Sequence, residues 1–125
     1  NQVEFCKANG YTETIIGRRR YIKEINSSNF MTRKLGERLA MNSPIQGSAA
    51  DIIKLAMISV YKALNDCNLK SKLILQIHDE LIIDTEIGEE NQVSELLVNC
   101  MQNAMDLKVK LLSQLNTGRN WYELK

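Results

Sequence analysis

Apolar residues recur along this chain with two different periods. Ile52, Leu55, Ala56, Ser59, Val60, Ala63 and Leu64 step by threes and ones, which predicts an amphipathic helix ending near Asp66. After Gly88 the same stepping returns in Val93, Leu96, Leu97, Cys100, Met101 and Ala104, a second such helix. Between them lie two β-rich runs, residues 72–77 and 81–85, separated by His78-Asp79-Glu80. That arrangement predicts an antiparallel hairpin. Towards the start, "NQVEFCKANG" reads as the last turns of a helix closed by Gly10, and "YTETIIGRRRYI" as a hairpin with a basic tip and Gly17 in its turn. A helix is expected from about Asn29 to Met41 or Asn42, and a new one from Ser43-Pro44-Ile45-Gln46. In the second, Ser43 serves as N-cap, Pro44 as first helical residue and Gln46 as the capping-box partner. A last strand is expected over Leu111 to Asn116. The whole predicts an α+β fold, with an antiparallel β-sheet packed against α-helices.

Charge sharpens this picture. Residues 17–38 hold seven basic against two acidic side chains, net +5, whereas residues 79–107 hold eight acidic and no basic ones, net −8. A polyanion would approach the first segment and a cation the second. No apolar run nears the ~20 residues that span a bilayer, so no membrane partner is expected. Cys6, Cys67 and Cys100 are odd in number and lack zinc-ligand spacing, which suggests reduced thiols in a cytosolic, cytoplasmic protein. The first residue is Asn1, and the chain is expected to begin inside something larger.

The candidate chemistry lies in the turn and in the first helix. A turn built of His78, Asp79 and Glu80 has none of the Gly, Asn or Pro that tight turns favour, and its flanking strands are strongly apolar. A solvated surface turn is the plain alternative. The chemical reading is a pair of carboxylates for a hard cation, with an imidazole able to donate to a phosphate or sugar oxygen. Neighbours on extended chain point to opposite faces, so Asp79 and Glu80 together make an incomplete site. The second acidic ligand is expected outside these residues. Asp51 and Glu37 look like ordinary surface or capping charges. On the helix, Lys34, Arg38 and Asn42, followed by Gln46, recur every four residues and form a row of donors suited to phosphates and minor-groove edges. A solvated polar face is the alternative there; for Arg18, Arg19 and Arg20 at the hairpin tip the readings are phosphate contact, with Arg18 the DNA-binding candidate, or a solvated turn. Trp121 and Tyr122 fit a terminal anchor better than a base-stacking platform.

"GYTETIIGRRRYI", "ERLAMNSPIQGSAADIIKLAM" and "QIHDEL" occur in an order and at spacings that resemble the C-terminal part of the family A DNA polymerases. The resemblance covers nearly the whole chain. It implies that residues 1–125 are the second half of a polymerase palm subdomain, part of a larger DNA-directed DNA polymerase of bacterial or phage origin. It implies that Asp79 helps hold the catalytic Mg²⁺ ions, with Glu80 as auxiliary carboxylate and His78 near the primer terminus. Arg38, Asn42 and Gln46 would contact primer-template DNA. Deoxynucleoside triphosphates and the rest of the polymerase chain are the other implied partners. The family's other metal-binding motif and its nucleotide-gripping helix are not in these residues, so the isolated chain is expected to be inactive. Ser48 stands where the family often has Thr. The rival expectation is a free-standing nucleic-acid-binding module without catalysis.

Overall fold

The computed structural model describes residues 1–124. Its elements are α1 (Gln2–Asn9), β1 (Tyr11–Glu13), β2 (Arg19–Tyr21), a 3₁₀ turn at Lys23–Asn26, α2 (Phe30–Asp66), β3 (Lys72–Ile77), β4 (Glu80–Asp84), α3 (Glu90–Gln102) and a 3₁₀ turn at Trp121–Leu124. They form two compact units, Asn1–Asp51 and Ile52–Lys125. The class is α+β as expected, but the β-structure is two separate two-stranded antiparallel sheets, β1–β2 and β3–β4. No helix among the described residues is long and apolar enough to cross a membrane.

In the first unit α1 starts at an Asn1 cap, whose Oδ1 accepts from the Val3 amide at 3.0 Å, and stops at Gly10 with φ of 79°. Left-handed backbone suits glycine, and Gly10 ends the helix as the sequence suggested. Cys6, Ile22, Ile25 and Ala40 are buried together, with Val3 and Leu39 packed against them. The β1–β2 hairpin pairs Tyr11 with Tyr21, Thr12 with Arg20 and Glu13 with Arg19. Gly17, at φ of 82°, lies in its connection.

Residues 30–66 are one helix, not two. Asn29 is the real cap, its Oδ1 accepting from the amides of Met31 at 2.9 Å and Thr32 at 3.2 Å. Ser43 and Pro44 lie inside the helix. A proline there costs about 3 kcal/mol through its missing donor and ring clash, so the Ser-Pro-x-Gln signature had good local reasons behind it. One tertiary bond and one bond within the helix accompany its passage through Pro44. The Ser43 hydroxyl accepts from Arg20 Nη1 at 3.1 Å, and the Ser48 hydroxyl donates to the Pro44 carbonyl at 2.5 Å.

The second unit buries Ile53, Ala56, Val60 and Leu64 of α2 with Leu81 of β4 and Val93 of α3. Each Ile, Val or Leu side chain among them contributes about 1.5–3 kcal/mol when fully removed from water. The buried α2 stripe is centred on Ile53 rather than Ile52. Leu96, Leu97, Cys100, Met101 and Ala104 pack against this cluster, as their spacing predicted. Cys6, Cys67 and Cys100 are free thiols, and burial, together with nearby Cys67, pushes the Cys100 thiol up from its ordinary value. The expected strand over residues 111–116 does not form; that segment has no regular structure. A strand needs a ladder partner, and β3 and β4 pair only with each other among the described residues.

A two-stranded hairpin is marginal by itself, so β3–β4 depends on its anchorage. Leu81, Leu73 and Ile83 reach the core, and a bulge between Leu73 and Leu75 re-aims the intervening side chain. At the open end Glu89 accepts from the amides of Lys70 at 2.9 Å and Ser71 at 3.0 Å and from the Ser71 hydroxyl at 2.6 Å. The Lys70 amide, followed by the Ser71 hydroxyl, holds the Glu89 carboxyl below its usual range. A carboxyl depressed in the folded state stabilises above its unfolded value of about 4.3. That contribution disappears as the pH falls through the lower, folded value. Acid unfolding of this unit should therefore move to lower apparent stability below about pH 4, and Glu89→Gln should flatten that part of the profile when followed by circular dichroism.

Candidate functional site

The tip of the β3–β4 hairpin is a two-residue turn. Ile77 pairs with Glu80, leaving His78 and Asp79 as the connection. His78 adopts φ of 51°, a left-handed conformation that costs roughly 1–2 kcal/mol for a residue with a Cβ. Gln76 stabilises the turn, donating from Nε2 to the His78 carbonyl at 2.7 Å. His78, Asp79 and Glu80 are all exposed.

Neither carboxylate of the tip accepts a hydrogen bond or joins an ion pair among the described residues. Their lone pairs are open to a hard cation. Mg²⁺ is commonly held by one or two carboxylates and completes its octahedron with water and phosphate oxygens. Asp79 and Glu80 fit that partial donor set. No group of three His, Cys, Asp or Glu residues among the described residues could hold a metal by itself.

The first unit carries the basic elements. Lys34, Arg38, Asn42 and Gln46 are all exposed on α2, at the steps of four read from the sequence. Lys34 is committed locally: its Nζ donates to Glu37 Oε2 at 2.9 Å. Glu37 also receives Lys7 Nζ at 3.3 Å, and these two donors, Lys34 first, hold its carboxyl below the usual range. The side chains of Arg38, Asn42 and Gln46 make no hydrogen bond among the described residues, so their donors are available to a ligand.

The three hairpin arginines behave differently from a solvated run. Arg19 lies over the Tyr11 ring at 4.5 Å and donates from Nε to Glu13 at 2.7 Å. Arg20 donates to Ser43. Arg18 donates from Nε to Asp51 Oδ1 at 2.9 Å and from Nη2 to the Gly47 carbonyl at 3.3 Å. Arg18, Arg20, Ser43, Gln46, Gly47 and Thr14 line a cleft of about 220 Å³.

Asp51 is the residue that sequence reasoning placed wrongly. Its side chain is 3% exposed, not a surface charge. Withdrawing a carboxylate from water costs several kcal/mol unless cations and hydrogen bonds offset it, and Arg18 is one such partner. The small residues one turn earlier were the available signal. A Cβ on Gly47 would come 2.7 Å from Thr14 Cγ2, so something packs closely on that face of α2.

A sequence profile described as DNA polymerase family A matches residues 1–123. Among curated relatives, DNA polymerase I of Caldicellulosiruptor bescii is 54% identical over 125 residues, all of this chain and 15% of the relative. DNA polymerase I of Borreliella burgdorferi is 48% identical over 124 residues, 99% of this chain and 14% of the relative. The chain thus spans about one seventh of the length of these relatives. A solved structure of the POL domain of Pol1 from M. smegmatis, in complex with DNA primer-template and dNTP, superposes with a TM-score of 0.95. The two are 46% identical, and the match covers 98% of this chain and 22% of that one. A match of this extent to the family profile, joined to relatives of this identity, has one meaning: the chain belongs to DNA polymerase family A.

Proposed function

We propose that residues 1–125 form the C-terminal part of the palm of a DNA-directed DNA polymerase, acting on primer-template DNA and deoxynucleoside triphosphates in the cytoplasm. The supporting observation is a hairpin tip whose two carboxylates and imidazole are exposed and uncommitted, on a chain that matches a polymerase domain over nearly its full length. In the reaction the primer 3′-hydroxyl forms a bond to the α-phosphate as the bond to pyrophosphate breaks. Asp79, with Glu80 beside it, would hold Mg²⁺, which when bound supplies charge stabilisation at the attacking and leaving oxygens. His78, fixed by its turn, presents its imidazole towards the primer end.

Arg38, Asn42 and Gln46 bind the duplex. Arg matches phosphate oxygens bidentately, and the two amides can donate to the acceptors of the minor groove. Lys34 adds charge at the start of the row. The tip brings only two adjacent carboxylates, so the 125-residue chain alone should not extend a primer; the remaining polymerase chain supplies the other ligand. A binding module without catalysis makes a different prediction, because it would need Arg38 and be indifferent to Asp79 in every assay.

Arg38→Ala should weaken duplex binding similarly for different sequences and lower the slope of log K against log salt by about 1, as loss of one phosphate contact requires. Fluorescence anisotropy at several salt concentrations measures it. An unchanged slope would remove Arg38 from the interface.

A further inference from the structure

We propose that Asp51 is a positioning residue for the duplex-binding row: through Arg18 it holds the 14–18 loop against α2 and so fixes the cleft wall beside Gln46. This rests on the reading of that row as a DNA-contacting surface.

The loop is closed on itself before it meets the helix. The Thr14 amide donates to the Arg18 carbonyl at 2.9 Å, and the Arg18 amide donates to Thr14 Oγ1 at 3.2 Å. It is then strapped to one stripe of α2. The Ile15 amide donates to Ser48 Oγ at 2.9 Å, and that hydroxyl in turn donates to the Pro44 carbonyl. Arg18 bridges Asp51 and the Gly47 carbonyl one turn apart. Residues 44, 47, 48 and 51 share a helix face by their spacing.

Among these ties the ion pair is the most demanding. A buried carboxylate is costly to part from the donors it engages, so the place of Asp51 favours one place for Arg18. Arg18 lines the same cleft as Gln46. Its planar fork reaches an acid and a carbonyl together, which a lysine ammonium cannot do with the same geometry. The guanidinium nitrogens that Asp51 and Gly47 engage serve the scaffold, and the phosphate contacts fall to the open donors of α2.

The experiment uses the 125-residue chain and two readouts. Asp51→Asn keeps size and one acceptor oxygen but removes the charge. It should speed amide hydrogen exchange at Ile15 at least about tenfold, with Val60 and Leu81 unchanged. Arg18→Lys, at a half-exposed position that puts little load on folding, should do the same. Gln46→Ala should weaken duplex affinity about tenfold in the unaltered chain but less than about threefold in the Asp51→Asn background. Unchanged Ile15 exchange in both variants would overturn the latch. Equal cost of Gln46→Ala in both backgrounds would overturn the positioning role. If the unaltered chain fails to bind duplex, the nucleic-acid reading falls together with the role of Gln46, while Ile15 exchange still decides the latch.

Discussion

Asp79→Ala in a polymerase containing this chain should lower primer extension by about 10³-fold or more while leaving duplex affinity within about twofold. The size follows from asking one metal-holding carboxylate for several kcal/mol of transition-state charge stabilisation, at 1.36 kcal/mol per factor of ten. Binding should be spared because the duplex contacts proposed above, Arg38, Asn42 and Gln46, do not include Asp79, and a carboxylate repels DNA. Glu80→Ala should cost less, about 10–100-fold, since its neighbour at the turn remains. Single-turnover extension measured beside anisotropy separates the two effects. A fall in affinity equal to the fall in rate would mean that the hairpin binds DNA rather than metal.

The second large effect is on stability and runs against helix propensity. Gly36→Ala in α2 should destabilise the first unit by about 2 kcal/mol, although alanine gains about 1 kcal/mol over glycine in a helix interior. Gly36 is buried, and a Cβ there would come 2.7 Å from the Ile25 nitrogen and 2.8 Å from the Glu24 carbonyl carbon and Ile25 Cα. All three are backbone atoms of the 3₁₀ turn that buries Ile25. No side-chain rotation relieves the clash, so the turn and its core must shift. Gly47→Ala provides the comparison, because its close contact is the Thr14 methyl, a side chain. Urea unfolding should show the larger loss at Gly36, and equal losses would contradict the backbone-contact argument.

The parts of the fold that were legible in the sequence are those where local chemistry and tertiary packing agree. The Val93 to Ala104 stripe, the Gly10 cap and the hairpin at residues 72–84 were readable for that reason. Pro44 failed as a helix boundary: the helix runs through it, accompanied by bonds from Arg20 and Ser48 that are distant in sequence or invisible to a propensity rule. The strand at 111–116 failed because a run of residues does not name the neighbour that a strand needs to pair with it. On α2, the exposure of Arg38 and Asn42 on one face followed from their spacing, whereas Gln46 had been placed in a separate helix. Glu89 and Asp51 were not legible, since one carboxylate looks like another until its donors are known. Glu89 clamps the base of the hairpin, and Asp51 is buried against Arg18.

The most direct test adds Mn²⁺, an oxygen-seeking substitute for Mg²⁺, to the 125-residue chain and follows paramagnetic broadening of backbone amide signals. Broadening should centre on His78, Asp79 and Glu80 and vanish in Asp79→Ala. Broadening centred on Glu86, Glu89 or Glu90, or left intact by that substitution, would contradict the assignment of the hairpin tip as the metal-bearing point.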